Sequence, residues 1–515
     1  MTKTSVSRLA MATLYWFGVS CGTAPRHSRH TPARQHRGSR TVPGYTDAVA
    51  HQRPKTTFTD RVFHPGRRLR DVLDEVAEAS PARLAMASFV IAIAIFTVLL
   101  SLPVAHADTS DYSFANSLFV AVSTVCVTGL TPVVTEEYWS AFGHWVMVAA
   151  MQVGGLGILT LASLLGMAVS KRLGVRQRLI AAQATNTFQI GQVGTLLRAV
   201  FITIFAVEAV IMALLTPRFL MRGDTLGEAL WHGLFYAVTS FNNAGFTLHT
   251  GGIQYFSDDP WILMVLMVSM LIGSLGFPVV LMVAITWNRP RGWDLHTKLT
   301  LATTGLLLLV SFVLLYIFES GNEKTIGGLS LGDSITNTLF MAAMPRSGGM
   351  ASIDVTEMYG TSHLLIDVLM FIGGGSSSTA GGIKVTTIAV LVLAALAEAR
   401  GLRDVTVFHR RIDPAAVRVA ISITLAGAAL VFVGTLLMLH ITRLPLDDVI
   451  FDVISAFATC GLSSGVTEKS PDAGLYVLSA LMFLGRLGTI TLAASLSARH
   501  QQRLFRYPEE RPIIG

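Results

Sequence analysis

The sequence predicts an all-α polytopic membrane protein: four pseudo-symmetric repeats of span, pore helix and span, making eight transmembrane helices and four re-entrant pore helices around one central pore. Three observations lead there. Of 515 residues, 52% are hydrophobic and only 14% are charged, with a mean hydropathy of +0.57, whereas a soluble protein averages about 25% charged residues. Eight long apolar stretches fall into four consecutive pairs, each enclosing a short one, and one glycine-containing string occurs four times. The composition excludes a soluble enzyme, a disordered chain and a disulfide scaffold.

The net charge of +7 and pI near 9.4 raise the question of a nucleic-acid partner, and the distribution answers it. From Met1 to Arg70 the chain holds thirteen Lys and Arg against Asp47 and Asp60, a charge of +11 that leaves −4 for everything after it. The basic excess is therefore a tail (1–80), read as a disordered cytoplasmic arm because its Arg, His, Pro, Thr and Gly show no apolar periodicity. Such an arm suits anionic lipid headgroups and is no nucleic-acid signature. Leu9–Cys21 behind Lys3 and Arg8 leaves two readings open, a signal peptide or an incorrectly assigned start that leaves the tail untranslated. Cys21, Cys126 and Cys460 make neither a disulfide framework nor a metal site.

A spanning helix needs about 20 apolar residues. Stretches 82–104, 140–169, 195–216, 260–287, 297–318, 364–397, 415–440 and 475–497 meet that requirement. The intervening segments 114–125, 227–240, 333–344 and 447–458 are too short to cross and suit helices that enter and turn back. The organisation follows as repeat 1 (81–175), repeat 2 (190–290), repeat 3 with a broken second span (291–400), repeat 4 (414–498) and a cytoplasmic C-terminal tail (499–515). Basic loops carrying Arg172, Arg176, Arg289, Arg291, Lys298, Arg400, Arg403, Arg410 and Arg411 face acidic or mixed ones carrying Asp108, Asp111, Glu136, Glu137, Asp258 and Asp259. The positive-inside rule then puts both termini in the cytoplasm, and all four short helices enter from outside.

Directly after the short segments come Thr124-Val-Cys-Val-Thr-Gly129-Leu, Ser240-Phe-Asn-Asn-Ala-Gly245-Phe, Met344-Pro-Arg-Ser-Gly-Gly349-Met and Ala458-Thr-Cys-Gly461-Leu, so that the turn glycines recur at a nearly even interval. A second landmark keeps register with the first. Gly154-Gly-Leu-Gly157, Gly273-Ser-Leu-Gly276 and Gly485-Arg-Leu-Gly488 start at closely similar offsets past the turn glycines of their units, and Gly373 stands at the same offset from Gly349. An even number of crossings per unit gives all four the same orientation around one axis, unlike an inverted repeat. Four such turns can aim backbone carbonyls at a common centre and replace the hydration shell of a cation. The negative ends of four half-helix dipoles favour the same charge. The competing reading, glycines for close helix packing, explains a single turn but not four in register.

These turns, Ser378-Thr-Ala-Gly-Gly-Ile-Lys384, Phe483-Leu-Gly-Arg486 and the C-terminal Arg506-Tyr-Pro-Glu-Glu-Arg-Pro-Ile-Ile-Gly515 together resemble the membrane subunit of the Ktr/Trk/HKT potassium transporter superfamily, in its KtrB-like, TrkH-related branch, over about residues 80–515. The resemblance implies potassium uptake across the plasma membrane by a homodimer with one pore per subunit. It also implies a cytosolic nucleotide-binding ring of the KtrA/TrkA type, with Na+ as an activator and no organic cofactor bound by this chain. It makes Thr128, Gly129, Ala244, Gly245, Gly348, Gly349, Cys460 and Gly461 the K+ selectivity filter. Glycine at 129, where sodium-admitting relatives often have serine, favours potassium; the third turn departs from the usual Thr-Ala-Gly-Phe.

The stretch Leu364–Ala397 would be about 51 Å long as a straight helix, against roughly 30 Å of hydrocarbon. Its middle, Gly373, Gly374, Gly375, Ser376, Ser377, Ser378, Thr379, Ala380, Gly381 and Gly382, consists of poor helix formers and is expected to be a loop at membrane depth, tolerated only where it lines a protein-enclosed cavity. We expect it to obstruct the path below the filter. It is no phosphate loop, because Gly-Gly-Ile-Lys384 lacks the Gly-Lys-Ser/Thr ending. Arg486 and Lys384 are gate-associated charges, with a snorkelling or structural arginine as the alternative. Glu208 and Asp367 are expected at the membrane interface, and Asn242 and Asn243 are expected to brace the second turn. The rivals are a Na+- or H+-coupled symporter on the same scaffold, a less selective Na+/K+ transporter and a membrane enzyme; the last fails for want of a clustered catalytic constellation.

Overall fold

The computed structural model describes residues 81–107, 112–156 and 193–498, all within one unit, Arg70–Gly515. The basic arm, Cys21, the far half of the second stretch with its basic loop, and the C-terminal tail lie outside the described residues. The rest is helical, with one two-stranded exception, β1 (Thr406–Val407) paired antiparallel to β2 (Arg410–Arg411). The helices are α1 Pro81–Leu100, α2 Phe114–Cys126, α3 Ala141–Gly155, α4 Val193–Met221, α5 Leu226–Phe241, α6 Pro260–Leu275, α7 Phe277–Thr286, α8 Leu295–Glu319, α9 Leu331–Ala343, α10 Gly360–Phe371, α11 Val385–Ala399, α12 Pro414–Thr442, α13 Leu446–Ala458 and α14 Asp472–Ala498, besides single helical turns. Among the described residues three helices are long and apolar enough to cross a bilayer, α4 from Val200, α8 and α12, or four if the bent pair α6 and α7 forms one span.

The four short helices α2, α5, α9 and α13 form at the short apolar segments and are mostly buried. Their starts are written locally. Ser113 accepts from Asn116 N, Thr225 and Glu228 form a capping box, and Ser330 accepts from Asp333 N, each occupying backbone donors that a helix start leaves free. α13 has no side-chain cap but carries Asp447 and Asp448 in its first turn, where carboxylates oppose the positive end of the helix dipole.

The second landmark has a steric reason. A Cβ on Gly154 would lie 2.2 Å from Val125 O, one on Gly273 2.0 Å from Phe241 O, and one on Gly485 1.7 Å from Phe457 O. Val125, Phe241 and Phe457 stand at the same place in their units, one helical turn before the turn glycine, so a bare glycine on α3, α6 and α14 lets the end of a short helix approach backbone to backbone. At Gly373 an added Cβ would instead meet Gly381 O, because there the helix has given way to the loop.

Two of the long apolar stretches are broken, one of them as expected. Between α10 and α11, residues 372–384 carry no helix, as their composition predicts. The break in 260–287 departs from the expected straight span: α6 and α7 meet at 103°. Gly276 takes φ 92 and Pro278 follows in the first turn of α7, where a missing N–H costs nothing. The carbonyls freed at the bend are used by the loop, Gly375 N donating to Ser274 O at 2.8 Å and Thr379 N to Gly273 O at 3.4 Å, while Phe277 N donates to Ser377 O at 3.3 Å.

Replacing Gly485 by alanine should destabilise the detergent-solubilised protein by about 1–3 kcal/mol, the usual cost of overpacking, visible as a lower thermal midpoint. Gly305→Ala on α8, with open space around its Cβ, should leave the midpoint unchanged; equal effects would refute the close-approach account.

Candidate functional site: a ring of four glycine turns

In every turn the residue two before the glycine is left-handed, and so is the glycine: Val127 φ 58 and Gly129 φ 97, Asn243 φ 60 and Gly245 φ 75, Ser347 φ 70 and Gly349 φ 69, Thr459 φ 47 and Gly461 φ 101. The four turns come together. A Cβ on Gly129 would lie 2.5 Å from Ala244 O, on Gly245 2.9 Å from Gly349 Cα and 3.2 Å from Gly348 O, on Gly349 2.6 Å from Cys460 O, and on Gly461 2.1 Å from Thr128 O. The contacts run first to second to third to fourth and back to first, closing a ring. The eight residues singled out in the sequence thus occupy one place, with the carbonyl before each glycine facing the glycine of a neighbouring turn. Only glycine combines the positive φ with that approach.

Each turn is anchored by its own helix. Thr128 N donates to Ser123 O at 2.8 Å, Ala244 N to Thr239 O at 2.7 Å and Cys460 N to Ser455 O at 2.8 Å. Hydroxyls at a constant place before the glycine add support: Ser123 Oγ accepts from Gly129 N at 3.1 Å, Ser455 Oγ accepts from Gly461 N at 3.0 Å, and Thr239 Oγ1 donates to Phe246 O at 3.1 Å. The third turn differs, as its sequence departs: Gly348 N donates to Met344 O at 2.8 Å, and Ala343 stands where the others have a hydroxyl. Its support comes from the neighbouring turn, Ser347 Oγ donating to Thr459 O at 2.6 Å and the buried Cys460 thiol lying 3.4 Å from Pro345 O.

Asn242 and Asn243 brace the second turn, and a carboxylate holds Asn242. Asn242 Nδ2 donates to Glu208 Oε1 and Gln152 Oε1, both at 2.9 Å, and Gln152 Nε2 donates to Glu208 Oε2 at 3.0 Å. The Asn243 amide, oriented with its nitrogen toward acceptors, donates to Met270 O at 3.1 Å and to Thr379 Oγ1 at 3.3 Å. Glu208 is 4% exposed, enclosed by protein, which its expected place at the membrane interface did not foresee. Asp367, at 6%, is likewise buried. The expectation rested on distance along the helix, and a buried neighbour such as Asn242 has no signature in that distance. A further buried carboxylate, Asp452, holds the chain after the fourth turn, accepting from Ser464 N at 2.8 Å, Thr467 N at 2.8 Å and Thr467 Oγ1 at 2.6 Å.

The Gly373–Gly382 loop lies against these turns. Thr379 Oγ1 is 3.4 Å from Phe241 O, Gly381 N donates to Ser347 Oγ at 3.1 Å, and a Cβ on Gly381 would lie 1.9 Å from Thr459 Oγ1. Within the loop, Ser378 Oγ donates to Gly375 O at 2.7 Å. Lys384 Nζ donates to Ala380 O at 2.7 Å and Gly381 O at 3.3 Å. Arg486, 4% exposed, donates from Nη1 to Thr379 O and from Nη2 to Gly154 O at 3.1 Å. It is buried and bonded to the loop, not snorkelling. Sequence reasoning missed Ser123, Ser455, Gln152 and Ser347. The first two carry a signal in their constant offset from the turn glycine, but Gln152 and Ser347 act on groups far away in the sequence, which no local pattern reveals.

The profile of TrkH, a cation transport protein family, matches residues 74–507. Ktr system potassium uptake protein D of Bacillus subtilis is 34% identical over 439 residues, 85% of this chain and 97% of the relative. Ktr system potassium uptake protein B of Vibrio alginolyticus is 33% identical over 441 residues, 85% and 96% of the two chains. The potassium/sodium uptake protein NtpJ of Enterococcus hirae is 32% identical over 443 residues, 85% and 97%. The crystal structure of the potassium transporter TrkH from Vibrio parahaemolyticus shares the fold at a TM-score of 0.62 and 21% identity, covering 79% of this chain and 84% of that one. With a family match over most of its length, relatives aligned over nearly their whole length and an all-α fold shared with a solved transporter, this chain is a multi-pass membrane transport protein, not an enzyme, and it belongs to the TrkH family of cation transport proteins, among its Ktr-like members.

Proposed function

We propose that the chain takes up potassium through a pore on the axis of the four-turn ring. The observation that carries this is the closed ring of Gly129, Gly245, Gly349 and Gly461, in which a backbone carbonyl precedes each glycine and every turn follows the C-terminus of a short helix. A ring of carbonyls offers a dehydrated monovalent cation oxygen ligands in place of water. Four helix C-termini aimed at the same region add negative potential. No bond is made or broken in transport; the membrane potential supplies the drive, worth about 2.3 kcal/mol per charge per 100 mV.

On this reading the chain has four repeats in the boundaries given above, with eight crossings, four re-entrant helices entering from outside and both termini cytoplasmic. It resides in the plasma membrane. α6 and α7 form one bent crossing, and α10, the loop and α11 form another. Residues 373–382 gate the path below the ring and are held by Arg486 and Lys384, which donate to their carbonyls. A second copy of the chain and a cytosolic nucleotide-binding ring complete the assembly and move the loop. The naming of one relative as a potassium/sodium uptake protein favours sodium as the second ion to test, as activator, coupled ion or permeant.

Expression in a strain unable to take up potassium should restore growth at low potassium; verified insertion without growth would sink the reading. Gly349→Ser and Gly129→Ser put a Cβ against a neighbouring carbonyl and should raise sodium permeation relative to potassium, measured as competition with rubidium uptake. Unchanged competition would remove those glycines from the filter. Deleting residues 374–381 should raise basal rubidium uptake into proteoliposomes, and a well-folded but inactive protein would count against a gate.

A further inference from the structure

We propose that Ser347 is a positioning residue that couples the ring to the loop, so that displacing the loop loosens the fourth turn and lowers ion discrimination while the path is open. This rests on the reading of the ring as a filter and the loop as a gate. Ser347 is 1% exposed and its one hydroxyl serves two partners. It accepts from Gly381 N in the loop at 3.1 Å and donates to Thr459 O in the fourth turn at 2.6 Å. The bonds run in one direction, from loop N–H through hydroxyl to the Thr459 carbonyl next to the ring, and such chains strengthen each member by mutual polarisation.

Three features make this junction a place where the loop can act on the ring, beside the contact of Thr379 with Asn243 in the second turn. The third turn lacks the hydroxyl anchor of the other turns, since Ala343 occupies that position, so its tie to the fourth turn runs through Ser347 and Cys460. The Thr459–Cys460 peptide is held at both ends, its oxygen by Ser347 and its N–H by Ser455 O; release of the oxygen lets that peptide tilt and takes with it Cys460, whose own carbonyl faces Gly349. Gly381 also lies against Thr459 Oγ1, where a Cβ would be 1.9 Å away, so one loop residue touches both turns. The first turn offers no such link, since Val127 is apolar and packs at Gly154.

The test is rubidium uptake, with and without competing sodium, into proteoliposomes holding the full chain. It compares Ser347→Ala, Ser347→Thr, Ser347→Cys, a protein shortened by residues 374–381, and Ser347→Ala on that shortened background. Ser347→Ala should raise basal uptake about fivefold, the equivalent of one net hydrogen bond, and lower the preference for rubidium over sodium by a similar factor. Ser347→Thr keeps the hydroxyl and should stay within about twofold of the parent. Loop shortening should lower the preference too, and Ser347→Ala should then add less than about twofold, because coupled sites are not additive. If the alanine protein does not assemble, the cysteine variant, near in shape but a feeble hydrogen-bonding group, is judged by the same criteria. The inference is overturned if Ser347→Ala leaves both readouts unchanged, if threonine behaves like alanine, if the two changes multiply in full, or if loop shortening raises flux and leaves preference intact. A parent protein that carries no rubidium sinks the potassium reading itself, and this is seen before any variant is measured.

Discussion

Buried irregular backbone must find hydrogen-bond partners inside the protein, because an N–H or C=O left unmet away from water is costly. That requirement organises this molecule. Four turns and a 372–384 loop leave helical geometry in one region, and their amides and carbonyls are met by one another. The turn amides reach back to their own helices, the loop amides reach the carbonyls freed at the α6–α7 bend, and Arg486 and Lys384 supply donors for loop carbonyls. The bend and the loop are thus two halves of one arrangement, each using groups the other exposes.

The same requirement explains why charge is tolerated in so apolar a chain. Arg486 is buried with its guanidinium on two backbone carbonyls, and Glu208 is buried among amide donors. A buried ionisable group is costly unless its hydrogen bonds are supplied, and here the charges serve to hold irregular backbone in place. The third quadrant takes a different course. Where the others anchor the turn with a hydroxyl on its own helix, this one borrows support from the fourth turn and from the loop.

Much of the site was legible because its signals are local and repeated. The turn glycines recur at nearly constant spacing, and a left-handed position whose Cβ would strike a neighbouring turn admits only glycine, whereas the left-handed Val127, Asn243, Ser347 and Thr459 carry no such signal. The second glycine landmark was legible as a pattern but not as a cause; its cause is a carbonyl on another helix. The bend at Gly276-Phe277-Pro278 carried a local signal that the long apolar run concealed. Burial of Glu208 and Asp367 had no local signal, since distance along a helix does not say which neighbours surround a side chain.

By itself the sequence determined the class of protein, the positions of four short helices, the glycines that end them and the helix-poor loop, because hydrophobic length, caps and positive-φ positions depend on neighbouring residues. Only the tertiary structure decided that the four turns close into a ring, that Arg486 reaches Thr379 and Gly154, that Asn242 rests on Glu208, and that Ser347 stands between Gly381 and Thr459. Those pairings join residues tens to hundreds of positions apart, and their energies depend on distances of a few tenths of an ångström that no local pattern encodes.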